Sequence, residues 1–451
     1  MKTSKILLVV LVALMMVSLS LTALLIIRPA KQTANTGLGQ TTTTVGTTTD
    51  NQTRTSLIPD EVFSPSRYVY NHDDKIEVTS DKAVLKALNL ELHQSFENIQ
   101  SMGTLEQYNY EQLLLKQSAG QLLFDAPIPI KNAVSYFVDI PDEFANTTIT
   151  RIVLLMDDVS TAYLINDQTK ASYSVTRKKQ SNEFLKSAYS EKLFYPIQSY
   201  ITKGGLTFVR IDDIKLDQLT YLVEQHMTSF YIGMLYSNTT DLKNRSDNKS
   251  IVYNDNVSQL IIDRSSSILS YFRNRLSESV PDMSTTLQHS FNQMNRFENW
   301  TYGIYYSGYS QTSQAVDFLR YVNNFPILDA NQQGTLRITV TDDGLSKMRI
   351  PTLVAQTPLV SRTKQVSLMS GDDAVSVIMS KGIDLLQVED VRIGYQWVSS
   401  QESNKIVNFI PTWFVKINGA WQTVDSATMD QVTLEDAGEL EPVSMDLGEE
   451  D

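Results

Sequence analysis

The chain has 451 residues, a net charge of −13, 42 % hydrophobic and 9 % aromatic residues, and no cysteine. That content suffices for two or three packed domains, and the missing cysteines exclude disulfides, thiolate metal sites, cysteine nucleophiles and a lipid-bearing cysteine. The acidic balance excludes nucleic acid and other anionic polymers as partners, because phosphate binding needs clustered Lys and Arg.

Ile6 to Ile27 is an unbroken run of 22 residues without charge, Pro or Gly. As a helix it spans about 33 Å, against a hydrocarbon core of roughly 30 Å. A signal-peptide core is shorter and ends in a small-x-small cleavage site. The best candidate here, Ser20-Leu21-Thr22-Ala23, lies inside the run, so an uncleaved anchor is expected. Lys2 and Lys5 flank one end, Arg28 and Lys31 the other, so charge barely sets the orientation. Length sets it: residues 1–5 are expected in the cytoplasm and the bulk of the chain outside. Removing those four basic residues takes the net charge of the remainder from −13 to −17.

Residues 28–57, with Thr41-Thr42-Thr43-Thr44 and Thr47-Thr48-Thr49, read as a flexible Thr-rich linker. An N-terminal α+β domain is expected over 58–213. Its helices are predicted over Asp81 to Met102 and Leu105 to Ser118. Its strands are predicted at Thr148 to Met156, Thr161 to Asn166, Ala171 to Thr176 and Leu206 to Asp212.

A middle α+β domain is expected over 214–362. Leu216 to Gln225 reads as helix, Phe230 to Tyr236 and Ser250 to Asn254 as strands, and Gln259 to Leu276 as helical toward its end. Gln311 to Asn323 places Ala315, Phe318, Leu319 and Val322 at helical spacing. Strands follow at Thr335 to Thr341 and Lys347 to Val354, around the turn Asp342-Asp343-Gly344. In a C-terminal α+β domain over 363–430, Asp372 to Ser380 reads as helix. Val388 to Val398 and Lys405 to Ile417 read as strands, the latter closed by Asn418-Gly419. Residues 431–451 hold an acidic tail expected to be disordered, with eight acidic and no basic residues from Glu435 to Asp451.

The last two domains repeat the order helix, strand, turn, strand. Ala315 stands 36 residues before Pro351, and Ala374 stands 37 before Pro411. A weak tandem repeat of a helix on an antiparallel sheet is expected, with each proline marking an edge strand or a bulge. The fold class is therefore α+β: an N-terminal transmembrane helix, then a multi-domain extracellular region of helices packed on antiparallel sheets, the last two domains similar.

No catalytic constellation emerges, so a non-enzyme without cofactor or metal is expected. His72, His93, His226 and His289 show no metal-ligand spacing, and no phosphate-binding glycine motif or nucleophile elbow is present. Adjacent carboxylates at Asp157-Asp158 and Asp372-Asp373 suit a turn and a helix N-terminus better than a site. The aromatic residues Trp300, Tyr302, Tyr305, Tyr306 and Tyr309 suit a packed strand, with a glycan or peptide platform as the rival.

Several stretches carry a resemblance. These are Tyr305-Tyr306-Ser307-Gly308-Tyr309, the run Phe318-Leu319-Arg320-Tyr321-Val322-Asn323-Asn324-Phe325-Pro326-Ile327, and Ile393-Gly394-Tyr395. The most specific is Ile410-Pro411-Thr412-Trp413-Phe414-Val415-Lys416-Ile417-Asn418-Gly419 with Trp421. With the single N-terminal span, the chain resembles the YycH family of membrane-anchored regulators. The resemblance implies an N-terminal domain followed by two smaller, similar α/β domains. It also implies restraint of the WalK (YycG) sensor kinase of the WalK–WalR system, which controls cell-wall metabolism in Gram-positive bacteria. The implied partners are that kinase, a YycI-type protein and the membrane. Ser18 and Thr22, four apart on one helix face, are the expected transmembrane contact. The rival function is an extracellular wall-binding module that uses the Trp300 to Tyr309 cluster.

Overall fold

The computed structural model describes residues 57–178, 181–274, 279–329 and 332–429. The expected anchor Ile6–Ile27 with Ser18 and Thr22, the linker up to residue 56 and the acidic tail lie outside them. Among the described residues no helix is long and apolar enough to cross a membrane.

Alternating and β-branched runs dominate the first part of the chain and assemble into an antiparallel sheet. After α1 (Pro59–Val62) come β1 (Arg67–His72), β2 (Lys75–Thr79), α2 (Lys82–Leu92), β3 (Phe96–Thr104), α3 (Gln107–Leu114) and β4 (Ala119–Pro129). Next are β5 (Thr148–Leu155), β6 (Thr161–Ile165), β7 (Ala171–Arg177), α4 (Glu183–Ser187), β8 (Tyr195–Thr202) and β9 (Gly205–Arg210). The sheet order is β3-β7-β6-β5-β4-β1-β2-β8-β9. The helix expected to reach Met102 stops at Leu92, and Phe96 onward is β3. Gln94 at φ 48° turns the chain there, so the apolar Phe96 and Ile99 belong to a strand and not to a further helical turn.

Beyond residue 213, two sheets are built from interleaved segments. The next elements are β10 (Ile214–Gln225), α5 (Thr228–Leu235), β11 (Lys243–Asn244), β12 (Ser250–Asn254), β13 (Ser258–Asp263) and β14 (Ile268–Arg273). Then come α6 (Met283–Phe297), β15 (Ile304–Tyr309), β16 (Ala315–Val322), β17 (Phe325–Pro326), β18 (Thr335–Thr341) and β19 (Gly344–Pro351). The described chain closes with β20 (Leu353–Pro358), β21 (Lys364–Leu368), α7 (Gly371–Ser380), β22 (Val388–Ser399), β23 (Ile406–Ile417) and β24 (Ala420–Thr423). One sheet runs β11-β12-β13-β14-β19-β18-β16-β15, with β17 on β16. The other runs β20-β10-β23-β22, with β21 on β10 and β24 on β23. Strands of this last sheet therefore lie on both sides of residue 362, and the middle sheet is inserted between β10 and its neighbours.

Four expectations fail here. Leu216 to Gln225 is a strand because its edges are taken up by β21, β23 and β20 in turn. Phe230 to Tyr236 is mostly the helix α5, which drives Tyr231 into the core. The described part of Gln259 to Leu276 is the hairpin β13–β14 around a turn in which Asp263 accepts from Ser265 N (2.9 Å) and Ser266 N (2.7 Å). Gln311 to Asn323 is not a helix: it contains β16, buried on both faces, so the repeated order of elements fails at its first member. The α+β architecture with helices packed on antiparallel sheets stands.

Candidate functional site

The three sheets meet at one buried ion cluster, to which two of them contribute irregular strands and the third supplies Tyr321 from β16, beside the irregular β15. In β4, Leu123 pairs with Arg151 and Ile128 with Ile149, so residues 124–127 stand opposite Thr150 alone. Bulges of this kind re-aim side chains, and this one carries Asp125. In β22 the register shifts between Val388 and Asp390, and in β15 between Tyr306 and Gly308.

Asp125 accepts a hydrogen bond from Ser66 Oγ at 2.6 Å, a short one from the Tyr321 hydroxyl, and one from Arg392 at 2.7 Å. Its side chain is 2 % exposed and that of Arg392 is 9 % exposed, so this is a buried pair spanning two sheets. Arg392 also donates from Nε to Asp390 Oδ2 at 2.7 Å, and its guanidinium lies 5.1 Å from the Trp421 ring. Arg67, from β1, reaches Asp390 at 3.7 Å.

Burial favours the neutral acid at Asp125, but Arg392, Arg67 and the hydroxyl donors outweigh it and hold the carboxyl below its ordinary value. Burial likewise opposes the charge of Arg392, and Asp390 and Asp125 overcome it. Arg67 goes the other way: desolvation and then the neighbouring Arg392 both disfavour its charge, more than Asp390 and Asp125 restore.

Two cavities flank the cluster, and Arg67, Leu123, Phe208 and Arg392 line both. The larger, about 210 Å³, opens between the sheets. The turn Asn323-Asn324, with φ 49° and 66°, rims it and reverses β16 into β17. Two positive φ values in a two-residue loop define a type I′ turn, which Asn tolerates. Below it, Gly394 has no alternative: a Cβ there would stand 2.9 Å from Pro326 O. The smaller cavity, about 90 Å³, adds Arg151, Asp167, Glu389 and Lys416.

Other candidates do not converge. Ser18 and Thr22 lie outside the described residues. His72 bonds Glu77 at 2.9 Å and packs on Tyr70 and Tyr189, His226 stacks on Phe230, and His93 and His289 are exposed. Asp157 pairs with Lys116, and Asp158 accepts from Ser160 and Thr161 in a turn. Asp372 accepts from Tyr200, and Asp373 belongs to the N-terminal cap of α7. Among the described residues, no group of three or more His, Asp or Glu is placed to hold a metal ion.

The aromatic cluster packs as part of the sheet, with Tyr302, Tyr305 and Tyr309 half-buried. Trp300 and Tyr306 are buried, their polar tips donating to Tyr321 O (2.8 Å) and Pro127 O (3.0 Å). Tyr302 donates to Gln356 O at 2.9 Å.

Sequence reasoning missed Arg67, Asp125, Asp390 and Arg392. A signal existed at one of them: Phe124-Asp125-Ala126-Pro127 puts an acid and a proline inside an apolar strand, the mark of a bulge.

The C-terminal-domain model of the YycH protein family matches residues 206–431. The crystal structure of YycH from Bacillus subtilis superposes with a TM-score of 0.68 at 14 % identity, covering 82 % of this chain and 98 % of that one. No curated protein sequence matches.

Proposed function

The chain belongs to the YycH family of regulatory proteins associated with the WalK–WalR (YycG–YycF) two-component system, and from that premise we propose that it restrains the WalK sensor kinase together with a YycI-type protein. Members of the family are accessory regulators and not enzymes. The observation that carries the reading is the family match over 206–431. That span contributes the strands bearing Tyr321, Asp390 and Arg392 to the three-sheet junction.

In this reading Ile6–Ile27 spans the cell membrane, the N-terminus is cytoplasmic and the bulk of the chain is extracellular. Helices in lipid associate by close packing of small residues and a few hydrogen bonds, since apolarity alone gives no preference. Ser18 and Thr22 supply such a face to the kinase helix. The outer sheets set the position of the anchor, and they alter the kinase only through a difference in affinity between two arrangements.

Cross-linking from positions 10–25 in membranes is expected to capture the kinase. Ser18→Leu with Thr22→Leu is expected to reduce both kinase co-purification and restraint of the target genes. Capture of no kinase, with unchanged output in the double variant, sinks the reading.

A further inference from the structure

The larger junction cavity has the chemistry of a ligand site. Its charged lining is Arg67, Arg210, Arg392 and Asp81. Three of these are engaged: Arg210 forks onto Asp212, Arg392 holds Asp125 and Asp390, and Asp81 caps α2 by accepting from Ala83 N (3.0 Å) and Val84 N (3.1 Å). Arg67 is not satisfied. Its buried Nε has no hydrogen-bond partner among the described residues, and its nearest carboxylate, 3.7 Å away, is already taken by Arg392. Nε itself is closed to solvent, but 18 % of the side chain as a whole is exposed, and an incoming group meets it there.

The geometry points to this cavity binding a small monoanionic carboxylate carried on an apolar body, with Arg67 as its anchor. Guanidinium matches a planar carboxylate two bonds at a time. Arg67 and Arg392 are balanced by Asp125 and Asp390, so an added anion is held by guanidinium bonds and not by surplus charge, and every charge it carries beyond the first adds only desolvation cost. A dianion such as phosphate would leave a second charge uncompensated beside Leu123, Phe208, Ile393 and Trp413. Ser66, Thr79 and Asn323 add polar atoms to the lining. A volume near 210 Å³ admits a small organic acid and no folded partner. The anion would offset by direct attraction the burial and the Arg392 repulsion that disfavour the charge of Arg67. The inference stands apart from the kinase reading and needs no kinase for its test.

The test uses the full chain in detergent and three probes by isothermal titration: N-acetyl-leucine, its neutral amide and inorganic phosphate. N-acetyl-leucine is expected to bind in the millimolar range or tighter, with the amide and phosphate at least about tenfold weaker. Arg67→Gln is expected to weaken the acid by a similar factor, whereas Arg362→Gln, an exposed guanidinium paired with Glu402, leaves it unchanged. The acid-against-amide comparison needs no substitution, so a misfolded variant does not blunt it. Absence of acid binding, equal binding of amide or phosphate, or indifference to Arg67→Gln in a folded variant overturns the proposal.

Discussion

Asp125 is shared by Ser66, Tyr321 and Arg392, three donors from three different segments of the chain. A buried pair of this kind is weak support for net stability, since desolvation offsets much of its attraction, but removing one member strands the other charge. Arg392→Met should therefore cost about 3 kcal/mol, and the double variant with Asp125→Asn should cost less than the two single losses together. Urea midpoints of the full chain in detergent measure this. Strictly additive losses would mean that the two side chains do not sense each other.

At the scale of elements, legibility followed the density of β-branched residues and the turns that bound them. Thr148–Leu155, Thr161–Ile165 and Ser250–Asn254 were readable in this way, the first two despite being packed on both faces. β16 was not. Val316, Phe318 and Val322 enter the main core, while Leu319 and Tyr321 enter a second cluster with Leu328 and Phe414. Two buried faces erase the two-residue period and leave an apolar spacing that mimics a helix.

The converse error hid α6. Leu287, Phe291, Met294 and Phe297 follow a helical stripe after the Asp282 cap, but Ser, Thr and Asn between them weaken the propensity. Pro411 shows a third case. It lies within β23, whose second edge is shared by β10 up to Phe409 and by β24 from Phe414, so the proline occupies the gap between two partners. The junction charges were illegible for a related reason: Asp125 and Asp390 sit at register breaks, and all four charges meet only through partners far away in sequence.

The helix α7 was legible, and its cap explains why. Ser370 Oγ accepts from Asp373 N at 3.2 Å and donates to the Asp373 carboxylate at 2.8 Å. Behind it, a Cβ on Gly371 would stand 2.5 Å from Arg210 O, so the helix start is pressed against β9. Ser370→Ala is expected to lower stability by about 1 kcal/mol. Thermal unfolding checks it, and an unchanged midpoint would show that docking on β9, not the cap, holds the helix start.

Across the whole molecule, carboxyl groups of two kinds set the response to pH. Asp125 at the junction, Asp158 and Asp263 in turns and Asp282 at the start of α6 all sit below the ordinary value of 3.8, Asp263 at about 2. At Asp125, Asp158 and Asp282 burial pulls the other way and is outweighed by charge or hydrogen bonds; at Asp263 the Ser265 hydroxyl leads. A depressed acid contributes stability above its unfolded value and loses it as the pH falls through the folded one. Together they predict a loss of stability below about pH 4.

Asp329, just after β17, has the opposite sign. Burial raises it to about 7, more than Gln333 N, Gly334 N and the Arg320 and Arg349 charges lower it. Its contribution is present below the unfolded value and disappears as the pH rises from about 4 toward 7. Urea midpoints between pH 2.5 and 8 should thus show a maximum near the start of that interval. Asp329→Asn should remove the decline toward neutrality and leave the acid limb in place. Parallel curves for the two proteins between pH 4 and 7 would mean that Asp329 is ionised in the folded chain throughout, held by Arg320 and Arg349 against its burial.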